Sequence, residues 1–350
     1  MHYPGKREDD LGDVTVLIPA RNEEEVLRRT LKAVQSQGKD LRIIVIDDQS
    51  TDRTHEVAKN VLNESGGGEI IAGSEHPPGW SGKLWALEQG RRLVDSPMVM
   101  LLDADINLKP GVITGLKNRL ISEEYSFLSL MAKPPLKSFW EKLMMPAFIY
   151  YFKLLYPFRI SNSDSNLVAA AAGGCVLTKT EVLSSIGGFE SLKEAIIDDC
   201  TLARKVKEKG YRTWTGLTRS AISIRPYKDL NEIWNMVART AFTQLRYSSL
   251  LLILCTGIML LAYWIPVAGL LAGVFSADTD IFNISLIVYG ILSITYLPVL
   301  RFYQVSSGYA LTLPFIGTLY LLMTWTSAIR YWSGERLRWR GRVEFKADRA

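Results

Sequence analysis

Met98-Val99-Met100-Leu101-Leu102-Asp103-Ala104-Asp105 is an apolar run of strand length that ends on two carboxylates one residue apart. Upstream, Ile43–Ile46 runs into Asp47-Asp48 in the same way, and Val14–Ile18 is a third such run. Short, wholly apolar segments of this kind read as parallel strands buried on both faces. Glu24–Gln37 and Asp52–Leu62 lie between them and carry apolar residues at helical spacing, so the chain opens as β-α-β. Acidic residues after strands often serve only as turn formers or helix caps. Two carboxylates fixed at the carboxyl end of a buried strand are also suited to hold a divalent cation against a diphosphate. A cation of the Mg²⁺ or Mn²⁺ type takes few protein oxygens, completes its shell with water and phosphate, and neutralises the charge on a departing nucleotide. Nucleotide-sugar chemistry is the implication.

The 350 residues carry their apolar content unevenly. From Arg246 to Arg330 the only charged residues are Asp278, Asp280 and Arg301, which leaves Tyr247–Ala277, Ile281–Leu300 and Phe302–Ile329 uncharged. Each is long enough to cross a bilayer, which takes about 20 apolar residues. A cytoplasmic first domain followed by three crossings would place the basic tail outside, against the positive-inside tendency. Two or three spans are therefore expected, and Phe302–Ile329, with Pro314 and Gly317, is a segment that could be re-entrant. The tail 330–350 holds Arg330, Arg336, Arg338, Arg340, Arg342, Lys346 and Arg349, with Trp325, Trp332 and Trp339 close by. Next to a span, that pattern reads as an anchor on anionic headgroups, and no nucleic-acid partner is expected.

Before Arg246 the chain reads as soluble. Met1–Gly12 has no apolar h-region, so the expectation is a domain, residues 1–246, that stays in the cytoplasm, followed by a membrane domain, residues 247–329. Cys175, Cys200 and Cys255 are few and odd in number, which fits a reducing compartment, and His2, His55 and His76 are too scattered for a ligand cluster. The aromatic-rich stretch Phe139–Phe158, bracketed internally by Pro146 and Pro157, reads equally as an interfacial helix or an aromatic core helix. Lys83 lies in the helix-starting segment Gly79-Trp80-Ser81-Gly82-Lys83, as a solvated lysine or a point charge for a phosphate oxygen. Gly173 and Gly174 permit close backbone approach to a sugar or acceptor, or form a plain turn. Gln244 and Arg246 stand just before the first span, where an acceptor headgroup would emerge, and Arg246 serves equally as an anchor for the helix end.

Val16-Leu17-Ile18-Pro19-Ala20-Arg21-Asn22-Glu23, Val45-Ile46-Asp47-Asp48-Gln49-Ser50-Thr51-Asp52, Lys83 with Ala86 and Gly90, Asp103-Ala104-Asp105, and Asp198-Asp199 with Leu202 and Arg204 together resemble the ordered motifs of family 2 glycosyltransferases. Pro77–Lys83, Ala169–Cys175 and Arg239–Tyr247 resemble, within that family, bacterial hopene-associated glycosyltransferases, relatives of ceramide glucosyltransferases. The family's Q-x-x-R-W signature stands here as Thr243-Gln244-Leu245-Arg246-Tyr247.

The resemblance implies an α/β fold: a GT-A nucleotide-sugar-binding domain with a mixed, mostly parallel sheet, followed by C-terminal transmembrane helices. It implies an inverting, metal-dependent transfer from a nucleotide-sugar, UDP-linked on family weight, to a lipid acceptor such as a hopanoid or related isoprenoid, at the bacterial inner membrane. In those terms Asp199 is the base with Asp198 beside it, and Asp105 binds the cation with help from Asp103. Pro19, Arg21, Glu23 and Asp48 hold the nucleoside, Lys83 meets the diphosphate, and Gly173, Gly174, Gln244 and Arg246 lie on the acceptor side. The alternatives are a processive polysaccharide synthase, for which two or three spans are too few, and a non-catalytic nucleotide-sugar-sensing scaffold, which has no need of a base.

Overall fold

The structure, a computed structural model, describes residues 9–193, 195, 197–339 and 342–345, with the backbone alone at residue 65 and from 335 onward. Two compact units are present. One comprises the chain up to Pro135 together with Lys153–Arg225, and the other Leu136–Phe152 together with the chain from Pro226.

In the first unit, β1 (Val14–Ala20), β2 (Arg42–Asp47), β3 (Gly68–Ala72), β4 (Met98–Leu102), β5 (Ile106–Leu108), β6 (Phe127–Lys133), β7 (Cys175–Lys179) and β8 (Thr213–Ser223) form one sheet. Its order is β3-β2-β1-β4-β7-β6-β8-β5. The run β3-β2-β1-β4 and the pair β6-β8 are parallel, while β7 lies antiparallel to both β4 and β6, and β5 antiparallel to β8. Successive strand residues point to opposite faces, so β1 buries Val14, Val16 and Ile18 on one side and Leu17 on the other. α1 (Leu27–Gln35), α2 (Thr54–Ser65), α3 (Gly82–Arg91) and α4 (Val112–Ser122) follow β1, β2, β3 and β5 in turn. α1 buries Leu27, Thr30, Leu31 and Val34, a single helical stripe, and with α2 and α4 it covers the Val14 face. α3 covers the Leu17 face. After α5 (Phe139–Leu155), α6 (Phe158–Ser161) and α7 (Thr180–Ser185), α8 (Asp198–Glu208) joins α3 there through Leu202 and Val206.

The second unit adds α9 (Leu230–Ala238), α10 (Ala241–Gln244), α11 (Ser249–Phe275), α12 (Thr279–Phe302) and α13 (Leu313–Trp332). Three helices, α11, α12 and α13 with its preceding turn from Ser307, are long and apolar enough to cross a membrane. At 1.5 Å per residue α11 spans about 40 Å, more than the ~30 Å hydrocarbon core. Its apolar residues face outward as well as inward: Leu250, Ile253, Leu261 and Val274 are exposed. α11 and α12 approach closely at Gly273, where a Cβ would stand 2.7 Å from the Phe282 backbone. Pro314 does not interrupt the third segment. It occupies the first turn of α13, where a missing N–H costs nothing, so the helix runs on through Gly317 and no re-entrant break appears.

One expectation shifts. Pro146 lies inside α5 instead of bounding it, and the helix buries Met144, Met145 and Ala147 around the proline. The first part of α5 packs among the apolar helices: Tyr150 OH pairs with Thr295 Oγ1 at 2.8 Å, Tyr151 OH donates to Tyr263 OH at 3.2 Å, and Tyr320 OH donates to the Met144 carbonyl at 2.8 Å. The first unit ends at Arg225. The cause is packing that hydropathy does not report: Trp234 Nε1 donates to Thr326 Oγ1, the Phe242 amide to Ser327 Oγ, and Arg330 to Asn235 Oδ1. Beyond α13 the backbone forms an antiparallel hairpin of β9 (Glu335–Trp339) and β10 (Arg342–Phe345). Of the basic tail, Arg340, Lys346 and Arg349 lie outside the described residues, as does the polar start up to residue 8.

Candidate active site

The carboxyl ends of β1, β2 and β4 lie side by side, and the antiparallel β7 brings its amino end to the same edge. Each strand therefore delivers its next residues to one crevice, the usual ligand position of an open α/β sheet. The Asp48 amide donates to the Ala20 carbonyl at 2.8 Å and the Asp103 amide to the Gly174 carbonyl at 3.0 Å, so the four strand ends are tied together by backbone.

Arg21 and Asp48 are both buried, and the Arg21 guanidinium donates to the Asp48 carbonyl while lying 3.6 Å from its carboxylate. Asp47 is engaged otherwise: it accepts from the Ser50 amide at 3.0 Å and lies 3.2 Å from His55 Nδ1, which shapes the turn after β2. Asn22 and Gln49 both take positive φ, 51° and 53°, and Asn22 Oδ1 accepts from the Thr51 amide, so the loops after β1 and β2 hold each other in a strained form typical of functional sites. Glu23 is buried and ion-paired to Arg225.

Asp103 Oδ1 lies 2.7 Å from Lys83 Nζ. Ser81 caps α3 by accepting from the Leu84 amide, which sets Lys83 at the first turn of that helix. Burial works against the lysine's charge, but Asp103 foremost, then Asp198 and Asp199, hold its pKa above the ordinary lysine value. Asp198 and Asp199 open α8 in its first turn, with Ile197 in the capping position. Asp199 accepts from the Gly173 amide at 2.9 Å and from the Cys200 amide at 2.7 Å. Desolvation and then the neighbouring Asp198 charge outweigh those donors and Lys83, and push Asp199 up to about 6. A Cβ on Gly173 would stand 3.2 Å from the Asp199 Cβ, so the amide reaches the carboxylate because no side chain intervenes. Pro19, Lys83, Asp103, Gly173, Asp198 and Asp199 line one partly open crevice, with about 20 Å³ of space at its centre, room for one or two waters.

Asp105 follows one residue on. Its carboxylate accepts from Ser223 Oγ at 3.1 Å and lies 3.7 Å from Arg225 Nε. Among the described residues no three His, Cys, Asp or Glu side chains converge as a metal cage. A hard cation held by these two carboxylates would have to take most of its oxygens from phosphate and water. Gln244, at the end of α10, and Arg246 belong to the second unit. Arg246 and Tyr247 take φ values of 53° and 56°, and Tyr247 stacks on Tyr331 with ring centroids 4.2 Å apart.

Three participants escaped the sequence reading. Ser223 and Arg225 reach Asp105 from the far end of β8. Glu88, on α3, is buried, accepts from the Phe189 amide at 3.1 Å and binds Arg91 and Arg92, which fastens the helix of Lys83 to the segment leading into α8. Only its position inside an otherwise apolar helix face, between Leu87 and Gly90, signals it.

Residues 15–187 match the model of the family described as glycosyl transferase family 2. A 4,4'-diaponeurosporenoate glycosyltransferase of Staphylococcus haemolyticus is 32% identical over 111 residues, 31% of this chain and 28% of that protein. The Staphylococcus aureus (strain USA300) enzyme of the same name is 28% identical over 198 residues, 54% and 50% of the two chains. The matched stretch thus spans half or less of the length of these curated relatives. A mannosyltransferase from Pyrobaculum calidifontis, solved in complex with GDP-Man and Mn²⁺, superposes with a TM-score of 0.56 at 17% identity, covering 96% of this chain and 92% of that one. This likeness establishes the GT-A fold, a mixed and mostly parallel sheet followed by C-terminal helices. The chain carries a glycosyl transferase family 2 domain.

Proposed function

We propose that the protein is a membrane-bound, inverting glycosyltransferase that moves a sugar from a nucleoside-diphosphate donor to a hydroxyl of an isoprenoid lipid, with a hopanoid as the preferred acceptor. The observation that carries the reading is Asp199: a carboxylate with its pKa raised toward neutrality, held by two backbone amides, in the same crevice as Lys83 and Asp103. A binding module has no need of such a base.

In this reading Asp48, Arg21, Glu23 and Pro19 hold the nucleoside at the ends of β1 and β2. Lys83 turns from Asp103 to the diphosphate. Asp199 takes the proton of the acceptor hydroxyl as its oxygen bonds to the anomeric carbon from the face opposite the leaving group, and the bond from that carbon to the phosphate oxygen breaks. The electron pair leaves with the nucleoside diphosphate, beside the Lys83 ammonium. A divalent cation, held by Asp105 and Asp103, would supply Lewis-acid neutralisation of the departing diphosphate. Gly173 keeps the acceptor side open, and Gln244 and Arg246 are assigned to the acceptor headgroup. The three apolar helices support a membrane-bound enzyme; the bacterial inner membrane, a cytoplasmic catalytic domain and UDP as the nucleotide belong to this proposal.

The curated relatives favour a second acceptor, a carotenoid acid, since they are named for diaponeurosporenoate. The two differ in chemistry, because a carboxylate acceptor is already ionised and needs no base. Full-length protein in lipid vesicles, given UDP- or GDP-sugars and either a hydroxylated hopanoid or a carotenoid acid, is expected to add a hexose mass to the hopanoid, and Asp199→Asn to abolish it. Transfer to the carotenoid acid that survives Asp199→Asn would establish the second reading, and no transfer to any lipid would refute both.

A further inference from the structure

Both carboxylates assigned to the cation are already matched by a cation of the chain, Asp103 by Lys83 and Asp105 by Arg225. The second pairing is built into the sheet. β5 and β8 are antiparallel with Ile106 opposite Ser223, the Ile224 amide donates to the Asp105 carbonyl at 2.9 Å, and Ser223 Oγ donates to the Asp105 carboxylate. The residue after Ile224 is thereby carried to Asp105, and its fork reaches Glu23 as well. Arg225 is the last residue of the first unit, its side chain is 32% exposed, and it lines a polar cavity of about 210 Å³ with Asn22, Glu24 and Asp52, which gives the guanidinium room to move.

We infer that Arg225 is a latch on the cation site: without donor its guanidinium neutralises Asp105 and Glu23, and a divalent cation takes Asp105 tightly only together with a nucleoside diphosphate, whose phosphates become the new partner of Arg225. The inference rests on the reading of Asp105 as cation ligand. A dication and a guanidinium on one carboxylate repel each other, so each weakens the other's hold until further negative charge arrives. A diphosphate brings that charge in a form that suits the arginine fork. By linkage, the factor by which nucleotide tightens the metal is the factor by which metal tightens the nucleotide. Arg225 is thus a positioning residue that makes the two enter together.

The test is Mn²⁺ binding to the full-length protein in detergent, followed by the electron paramagnetic resonance signal of the free ion, alone and with UDP or GDP. Wild type is expected to bind Mn²⁺ weakly alone and about tenfold or more tightly with one of the nucleotides. Arg225→Gln should bind Mn²⁺ alone about tenfold tighter than wild type and lose a matching part of the nucleotide effect. A purely structural role predicts weaker binding in both conditions and would overturn the latch. So would unchanged affinity of Arg225→Gln for Mn²⁺ alone. Arg225→Lys, a point charge in place of the fork, should tighten Mn²⁺ alone by a smaller factor, and it decides the matter if the Gln variant fails to fold: no tightening overturns the inference. Wild type that binds no Mn²⁺ with either nucleotide refutes the assignment of Asp105 itself, and the latch with it.

Discussion

Replacing Asp198 by Asn keeps the side chain's size and removes one charge beside Asp199. Asp199 stands at about 6 because desolvation comes first and Asp198 second, while the Cys200 and Gly173 amides and Lys83 pull the other way. Without the Asp198 charge the pKa falls. The expected drop is about one unit, equivalent to ~1.4 kcal/mol of relieved repulsion, with desolvation sustaining the rest of the shift. Lys83→Met has the opposite sign, since the ammonium favours ionised Asp199, and its loss raises the pKa. A base acts when ionised, so the rate climbs as pH rises through the pKa and then levels. A value of about 6 leaves roughly nine-tenths ionised at pH 7, so the variants separate only in the acid range. The assay is kcat/KM for the donor from about pH 4.5 to 8, which reports groups ionising before the donor binds. Wild type should bend near 6, Asp198→Asn about one unit lower, and Lys83→Met higher, whatever the absolute rate of each. Three coincident limbs, or two variants shifted in the same direction, would refute the argument that Asp199 is the base.

Asp105→Asn should cut turnover about a hundredfold or more by discharging the cation site, and undiminished activity of the variant in excess chelator would remove Asp105 from that role. Gly173→Ala places a Cβ 3.2 Å from the Asp199 Cβ, so it should displace the carboxylate and lower kcat about tenfold, with donor binding by calorimetry and thermal stability nearly unchanged. Glu88→Gln should destabilise the catalytic unit by about 2–3 kcal/mol, because it leaves Arg91 beside a neutral amide. The wild-type Glu88 pKa lies below its usual 4.5: desolvation raises it, but Arg91, then the Phe189 amide and Arg92, more than compensate. Its contribution is therefore present above about pH 4.5 and lost as pH falls through the lower folded value, so melting curves of wild type and Glu88→Gln should converge on acidification.

The order of the site was legible because its residues follow strands. Val14–Ile18, Ile43–Ile46 and Met98–Leu102 announce themselves by composition, and whatever comes next in the chain must sit at the end of a parallel strand; the structure extends those runs only to Ala20, back to Arg42 and on to Asp47. The helix boundaries were less visible, since α1 begins at Leu27, after a loop whose residues bind Ser50 and Asp52 side chains, where polar pattern alone extends the helix back to Glu24. Pro314 carried its own signal, as proline suits the first turn of a helix as well as a break. What decided between the two was the packing of α13 against Tyr263 and α9, which no local pattern reports.

Arg225 shows why the remainder was not legible. Ser223-Ile224-Arg225 has no composition that marks a site, and 120 residues separate Arg225 from Asp105. The link between them is that β5, although it follows β4 after three residues, leaves its neighbours and pairs at the opposite edge with β8. A reading of strands in chain order places Asp105 at the end of β4 and stops there. The sheet instead makes Asp103-Ala104-Asp105 the crossing point between β4 and β5, so one carboxylate belongs to the Lys83 side and the other to the Arg225 side. It is this split that gives each carboxylate of the D-x-D motif a different fixed cation as its partner. The chemistry of the motif is local, but what competes for it is set by strand pairing.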